Sequence, residues 1–274
     1  MRIMIRLFFI LSLTLTWSTI WAQQEHSSLG VDGIGLKAGW TQAFIADQHS
    51  SPLLYQVNTM NFGALYQQQS NHLFEIGLLL NIGTSQAQNI GKRVGTLADA
   101  PDIYGESESY EIEANPFLSF LGGDLSIKML WPLNDRHHLG LSTNLRYMKS
   151  GIGLDDWHYT QLDLSPEYAF AIPLFAGQLT ASFSLPVLAG IVRPNYSLDP
   201  SLPNLTNYYR GYLRTGSSIT SLHQLINPRL GVGYTWSFNN NRDIGIQYSA
   251  KWISYPDPRP VRIFEQGVDL VYFF

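Results

Sequence analysis

The chain has 274 residues, no cysteine and a formal net charge of −4 at pH 7. The lack of cysteine excludes disulfides, a thiolate metal site and a lipid-modified N-terminal cysteine, and the negative charge without a basic stripe argues against a nucleic-acid partner. Charged residues make up 14% and aromatic residues 13% of the sequence, whereas typical soluble domains carry roughly 25% charged residues. This composition indicates a protein whose outer surface meets lipid.

Residues 1–22 have the pattern of a secretory signal peptide. Arg2 and Arg6 give a positive start, an apolar run extends from Leu7 to Leu15, and Ala22 places a small residue before the cut. These features in this order direct a chain to secretion and are removed from the mature protein. The apolar run is short for a membrane span and no stop-transfer charge cluster follows it. We therefore expect a signal peptide at 1–22 and a single mature domain at 23–274.

After residue 33, apolar and polar residues alternate with a period of two. In the last segment, Leu270, Tyr272 and Phe274 alternate with Gly267 and Asp269. A period of two places the two sets on opposite faces of a β-strand. The ten segments with this pattern are 34–40, 53–68, 74–82, 125–131, 139–147, 162–170, 179–187, 230–238, 244–252 and 264–274.

The apolar faces of these segments end in aromatic residues, whereas the polar faces are rich in Gly, Ser, Asn and Thr. Aromatic girdles on both sides of an apolar band are typical of transmembrane β-barrels, and strands in hydrocarbon must close because open sheet edges cannot exist there. The sequence predicts an all-β fold, a single antiparallel transmembrane β-barrel of about 10 strands. The two predicted girdles are Trp40, Tyr147, Trp157 and Trp252 at one end, and Tyr66, Trp131, Phe170, Phe238 and Tyr272 at the other.

The connections predict the strand count and the orientation. The turns near 69–71, 134–136 and 239–242 are short and polar, and they alternate with mostly longer links at 42–52, 84–111, 150–156 and 190–221. Such barrels have short periplasmic turns and longer outer loops, so we expect both termini in the periplasm. A hairpin within 84–111 or 190–221 would raise the count to 12. Residues 172–192 carry no charge, but Pro173, Pro186 and the period-two pattern favour strands over a helix. Proline inside a predicted strand marks a bulge or an end, and this applies to Pro116, Pro166, Pro186 and Pro228.

The last eight residues, Gly267 to Phe274, alternate and end in phenylalanine. They resemble the C-terminal signal by which outer-membrane barrels are recognised by their assembly machinery. The chain as a whole resembles the uncharacterised small outer-membrane barrels of Gram-negative bacteria. This resemblance implies a bacterial outer-membrane location, with membrane lipid, lipopolysaccharide and the barrel assembly machinery as partners.

The inner face of the predicted barrel carries charges of both signs in nearly equal number. A small barrel has a lumen just wide enough for side chains to fill, and charges confined there are costly unless they pair. We therefore expect a salt-bridged, largely filled lumen and a structural or small-ligand-binding role; the alternative is a narrow channel for small polar solutes. The inward residues, which are also the candidates for ligand binding, are Lys37, Glu75, Asp124, Lys128, Arg146, Asp163, Glu167, Arg229, Lys251, Glu265 and Asp269.

One short motif offers a candidate for catalysis. Asp156 and His158, placed in an outer loop by the predicted strands, resemble the Asp-x-His pair of the omptin proteases, which are ten-stranded outer-membrane barrels. That resemblance implies an aspartate orienting a histidine that activates water, as an aspartate near a histidine raises its basicity. The position along the chain differs from the family's, and Asp99 and Asp102 lack the spacing of its second acidic pair. The omptin-like hydrolase therefore stays an alternative, and we expect a protein that is not an enzyme.

The other histidines are candidates for two kinds of site. A lipid-active barrel needs a histidine and a serine close together, but His26-Ser27 lies at the mature N-terminus and His223 is followed by no serine within reach. A metal site is disfavoured at His137 and His138, because adjacent residues point to opposite faces of a strand. No phosphate loop, dinucleotide fingerprint or zinc spacing is present, so we expect no cofactor and no metal. The 190–221 link combines tyrosine and arginine, which are enriched at binding hot spots. We expect it to fold over the barrel mouth with its arginines facing lipopolysaccharide, or to bind a ligand through Arg193, Tyr208, Tyr209, Arg210 and Arg214.

Overall fold

The computed structural model describes residues 31–49, 53–88, 93–98, 109–114, 117–152, 155–193, 216–239 and 242–274. The predicted signal peptide lies outside these residues. Within them, no helix combines the length and the apolar character needed to span a bilayer. The strands are β1 (Gly33–Asp47), β2 (Leu54–Gln69), β3 (Leu73–Ala87), β4 (Arg93–Ala98), β5 (Ser109–Ala114), β6 (Phe117–Pro132), β7 (His137–Ile152), β8 (Asp155–Leu174), β9 (Gly177–Ser184), β10 (Leu188–Val192), β11 (Ser217–Ser221), β12 (Arg229–Asn239), β13 (Arg242–Tyr255) and β14 (Val261–Phe273).

Ten of these strands close into an antiparallel barrel, as the sequence predicted. The order around the wall is β1, β2, β3, β6, β7, β8, β9, β12, β13 and β14. Two sets of pairings complete the ring. The last strand, β14, pairs with β1 from Gly35↔Phe273 to Asp47↔Val261, and β9 joins β8 to β12 by pairing with both. Closure gives every strand two neighbours, which satisfies the backbone hydrogen bonds that hydrocarbon cannot satisfy.

The two remaining hairpins do not enlarge the ring. β4 and β5 pair only with each other, in a separate two-stranded sheet. β10 continues along β8 beyond β9, and β11 pairs with β10. Leu185 to Val187 separate β9 from β10 with Pro186 between them, so this predicted proline irregularity is a strand break. The predicted alternative of 12 wall strands is therefore not the one observed.

The barrel has two different ends. At the turn end, strands are joined by the short segments 70–72, 133–136, 175–176 and 240–241; at the loop end they are joined across 48–53, 88–116, 153–154, 193–216 and 256–260. The strands extend further toward the loop end than the sequence predicted. The link expected at 150–156 shrinks to residues 153–154, so Asp155 and Asp156 begin β8 instead of lying in a loop.

The outer face of the wall is apolar. Leu78 in β3, Leu125 in β6 and Leu141 in β7 are exposed, and each is flanked by outward leucine or isoleucine two residues away on its strand. Tyr66 and Trp131 are exposed toward the turn end, as expected for aromatic side chains that mark a membrane interface. A soluble barrel would not leave so large an apolar band uncovered, so this outer face fits a lipid environment.

Replacing Leu78 with arginine should destabilise the barrel in lipid by about 2–4 kcal/mol, because a charge on the lipid face is most costly near the bilayer midplane. Leu133→Arg is the matched control: the side chains are 49% and 51% exposed, but Leu133 lies in a turn. Denaturant unfolding in lipid vesicles measures both. Equal unfolding free energies for the two variants would contradict the membrane assignment of this face.

Candidate functional site

The structure brings the predicted inward charges together inside the barrel. They lie on the inner faces of eight of the ten wall strands, and most of them contact an opposite charge. The residues are Lys37, Glu75, Asp124, Lys128, Arg146, Asp163, Glu167, Arg229, Lys251, Glu265 and Asp269.

Arg146 is the centre of the largest ion-pair group. Its Nε lies 2.8 Å from Asp124 Oδ1, and its two terminal nitrogens donate to the two carboxylate oxygens of Glu265, each at 3.1 Å. Lys251 Nζ lies 3.2 Å from Glu265 Oε1 and 3.8 Å from Asp124 Oδ1. Bidentate arginine–carboxylate contacts fix geometry as well as charge. This group therefore ties β6, β7, β13 and β14 together across the lumen.

Two further groups lie beside it. Lys128 Nζ is 3.0 Å from Glu167 Oε1 and 3.4 Å from Glu75 Oε1. On β8 and β12, Asp163 pairs with Arg229. Asp163 also accepts hydrogen bonds from Gln161 Nε2 at 2.7 Å and Ser165 Oγ at 2.9 Å. We refer to Asp124, Arg146, Glu265, Lys251, Lys128, Glu75, Glu167, Asp163 and Arg229 as the charged layer.

Lys37 and Asp269 stand apart from the charged layer. Lys37 Nζ donates to Gln247 Oε1 at 2.9 Å, and Asp269 Oδ1 accepts from Asn61 Nδ2 at 3.0 Å. Neither has an opposite charge within 4.0 Å among the described residues. They are on adjacent strands, with Gly39 opposite Asp269 in the register. A Cβ at residue 39 would overlap Asp269 Oδ1, so glycine lets this carboxylate lie against β1.

Toward the loop end, the lumen changes from charged to apolar. Trp157 and Tyr159 are fully buried there, and their rings stack with centroids 6.4 Å apart. This cluster of inward apolar side chains was not among the features predicted from the sequence. We call it the apolar plug: Ala43, Ile45, Tyr55, Val57, Phe120, Met148, Trp157, Tyr159, Ala189, Ile191, Leu225, Ile253, Tyr255, Val261 and Ile263.

A buried ion pair covers the apolar plug. Arg193 and Asp47 are each 3% exposed, and Arg193 Nη2 lies 2.8 Å from Asp47 Oδ1. The second oxygen of Asp47 accepts from Trp157 Nε1 at 2.7 Å. Arg193 Nη1 also donates to the carbonyl oxygens of Asp257 and Arg259, at 2.5 and 2.8 Å. This pair therefore connects the ends of β1 and β10 with the start of β8 and the link between β13 and β14.

These contacts correct two sequence predictions. Trp157 is not part of an outer girdle; it lies on the inner face because it shares the parity of Asp163 on β8. Arg193 does not face lipopolysaccharide, since it turns inward onto Asp47 directly after β10. Tyr208, Tyr209, Arg210 and Arg214 lie outside the described residues.

His49 lies next to the same ion pair. Its backbone N–H donates to Asp47 Oδ1 at 2.9 Å, and its pKa is lowered by burial and by the nearby Arg193 guanidinium.

A cavity of about 270 Å³ lies between the charged layer and the turn end. Lys37, Glu75 and Lys128 line one side, whereas small polar side chains such as Thr180 and Ser182 of β9 line another. The strand β12 contributes Gly231 and Gly233 to the same wall. A Cβ at residue 233 would come within 2.9 Å of Thr180 Oγ1. The small residues of β9 and β12 therefore leave open the space that side chains fill elsewhere.

The candidate catalytic histidine is not directed into this lumen. His158 lies on the outer face of β8, where its Nδ1 is 3.2 Å from the hydroxyl of Tyr147, and its neighbours Trp157 and Tyr159 point inward. The side chain of Asp156 lies outside the described residues, and so do Asp99 and Asp102. The geometry therefore places the candidate histidine beside an outward tyrosine and away from the charged layer.

One serine–histidine contact was not predicted from the sequence. Ser221 Oγ, at the end of β11, lies 2.6 Å from Nδ1 of His223 in the exposed turn that follows. The serine precedes the histidine, whereas the prediction concerned a serine that follows it. Within the described residues, no side chain hydrogen bonds the other ring nitrogen of His223, so the orienting group that activates a nucleophile in such pairs is not seen. No group of three or more metal-ligating side chains is close enough to hold a metal ion in this part of the chain.

No protein-family model matches the chain, and no curated protein matches its sequence. Solved outer-membrane barrels are similar to it in structure at 10% identity. The outer membrane protease OmpT from Escherichia coli has a TM-score of 0.42, with 92% of this chain and 99% of that chain covered. The β domain of the Bordetella autotransporter BrkA has a TM-score of 0.46, with coverages of 89% and 100%. An outer membrane channel from Pseudomonas putida F1 has a TM-score of 0.42, with coverages of 92% and 99%.

Replacing Arg146 with methionine should lower the free energy of unfolding by about 3–5 kcal/mol, because removing one partner of a buried ion pair leaves uncompensated charge. Adding Glu265→Gln to Arg146→Met should recover part of this loss. Arg136→Met, in an exposed turn, is the control and should change stability little. Denaturant titrations measure all three. An Arg146→Met barrel as stable as the control would contradict the structural role of the charged layer.

Proposed function

We propose that this protein is a non-enzymatic barrel of the bacterial outer membrane whose lumen is closed to solutes, with a structural or small-ligand-binding role. The observation that carries the proposal is the apolar plug. Its largest side chains, Trp157 and Tyr159, are fully buried, and the Arg193–Asp47 ion pair lies over them. A solute crossing the barrel would have to displace both layers.

The charged layer supports the same proposal. A polar pathway needs side chains that can exchange their partners for a passing solute, but Arg146 already contacts Asp124 and both oxygens of Glu265. Separating these charges inside the lumen would leave them uncompensated, which costs several kcal/mol. The charged layer therefore connects opposite parts of the wall, β6 and β7 on one side with β13 and β14 on the other.

The proposed partners are membrane lipid, lipopolysaccharide and the barrel assembly machinery. The outer apolar band would contact membrane lipid, and the loop end would lie nearest to lipopolysaccharide. The barrel assembly machinery would recognise the alternating apolar residues of β14, such as Leu270 and Tyr272. In this orientation the turn end and both termini face the periplasm, where the short turns of such barrels lie.

Planar-bilayer recordings of the refolded wild-type barrel should show no steady single-channel conductance. Trp157→Ala should produce openings, because it removes the largest side chain of the apolar plug and its hydrogen bond to Asp47. Trp131→Ala, a change of the same size on the outer face, should stay silent. Steady conductance by the wild-type protein would contradict the closed lumen and favour the alternative, a narrow channel for small polar solutes.

The proposal that the protein is not an enzyme has its own test. Wild-type barrel incubated with peptide and lipid substrates should show no hydrolysis above that of a heat-denatured sample. Hydrolysis that His158→Ala abolishes, in a barrel that still shows heat-dependent mobility on a gel, would favour the omptin-like alternative using Asp156 and His158.

A further inference from the structure

Among the residues that the structure describes, two of the charged groups that line the turn-end cavity form no ion pair. The charged residues that line the cavity are Lys37, Glu75, Asp124, Lys128, Glu167, Lys251 and Asp269. All of them except Lys37 and Asp269 lie within 4.0 Å of an opposite charge. The hydrogen bonds of Lys37 and Asp269 run to the neutral amides of Gln247 and Asn61, respectively. The cavity lining therefore includes one ammonium group and one carboxylate whose hydrogen bonds run to neutral amides.

These two groups are close in the wall and yet do not pair with each other. Lys37 is opposite Val271 and Gly39 is opposite Asp269, so the two side chains are diagonal neighbours on β1 and β14. Asp269 lies against the bare Cα of Gly39, while Lys37 extends to Gln247 on β13. Diagonal charges of opposite sign on adjacent strands ordinarily stabilise a sheet by pairing. Here each of the two groups instead hydrogen bonds a neutral amide, Lys37 that of Gln247 and Asp269 that of Asn61.

We propose that the turn-end cavity binds a small zwitterion, whose carboxylate contacts Lys37 and whose ammonium group contacts Asp269. A zwitterion matches both groups and brings no net charge into the lumen. A lone anion would lie near Glu75 and Asp269, and a lone cation near Lys37 and Lys128, so each would be repelled by part of the lining. This inference rests on the proposed ligand-binding role and names the class of ligand.

The other wall of the cavity fits such a ligand. Gln178, Thr180 and Ser182 on β9 and Ser249 on β13 supply hydroxyl and amide groups, which hydrogen bond polar atoms without adding charge. The volume of about 270 Å³ lies just below the roughly 300–1,000 Å³ of typical ligand pockets. The ligand is therefore a small molecule of the size of an amino acid. The apolar plug separates the cavity from the loop end, so the zwitterion enters from the turn end.

Calorimetric titration of the refolded wild-type barrel tests this without any variant. The probes are glycine, β-alanine and γ-aminobutyrate, which differ in the separation of their charges, together with acetate and methylammonium, which carry one charge each. At least one zwitterion should bind at least tenfold more tightly than either single-charge probe. Failure of all three zwitterions to bind at millimolar concentration, or equal binding of acetate or methylammonium, would overturn the proposal.

Variants then locate the binding. Lys37→Met and Asp269→Asn should each weaken zwitterion binding at least tenfold. The matched controls, Lys149→Met on β7 and Asp135→Asn in a turn, should bind as the wild type does. Unchanged binding in both lumen variants, confirmed as folded by heat-dependent gel mobility, would overturn the site. Conductance measured on the same samples separates the two proposals, since a barrel that conducts but binds zwitterions refutes only the closed lumen.

Discussion

Closure of the hydrogen-bonded ladder is the constraint on which this structure depends. No water is available in hydrocarbon to satisfy a free strand edge, so the sheet must return to its first strand. The pairing of β1 with β14 along thirteen register positions, from Gly35↔Phe273 to Asp47↔Val261, makes that return. A closed wall also encloses a lumen, and side chains that point into it leave bulk water. Most of the charges on the inner face accordingly pair with an opposite charge inside the barrel.

The lumen is divided by the size and polarity of its inward residues. At the loop end these are large and apolar, such as Trp157 and Ile253, and they pack into the plug. In the middle they are long and charged, and Arg146 reaches across to Glu265 of a strand that is distant in sequence. On β9 and β12 toward the turn end they are small, as at Ser182 and Gly231. The wall thus encloses a lumen that the apolar plug fills at the loop end and that contains a cavity toward the turn end.

Much of this was predictable from the sequence, because a period of two identifies both the strands and the inner face. The charged lumen residues are an example: Asp163 and Glu167 share one parity, and both point inward. The same rule places Trp157 on the inner face once β8 begins at Asp155. The sequence alone favours a girdle position for Trp157, because a tryptophan near a strand end is often interfacial.

The apolar plug also left a signal in the sequence. Phe44-Ile45, Trp252-Ile253 and Ile263-Phe264 are adjacent apolar residues, and in a strand such pairs make both faces apolar. What no local pattern gives is the partner of each charge. Arg146 and Glu265 are 119 residues apart in sequence. They meet only because β14 pairs with β1 and closes the ring, and their alignment depends on the register of every strand between them. Sequence periodicity thus identifies the residues of the lumen, whereas their pairing is a property of the whole ring.

The division of the lumen also bears on how the cavity could be used. Burying a large aromatic side chain contributes about 1.5–3 kcal/mol, so an opening through Trp157, Tyr159 and Tyr255 would cost several such increments before the Arg193–Asp47 pair is broken. Toward the turn end the buried apolar clusters are smaller, namely Leu73, Leu130, Ala169 and Ala171, and Leu65, Val271 and Phe273. The wall at Thr180 and Gly233 also carries small side chains there. A ligand that enters from the turn end therefore meets a lower barrier than one that tries to continue through the apolar plug. This asymmetry supports the proposed pocket with one entrance over a pathway through the barrel.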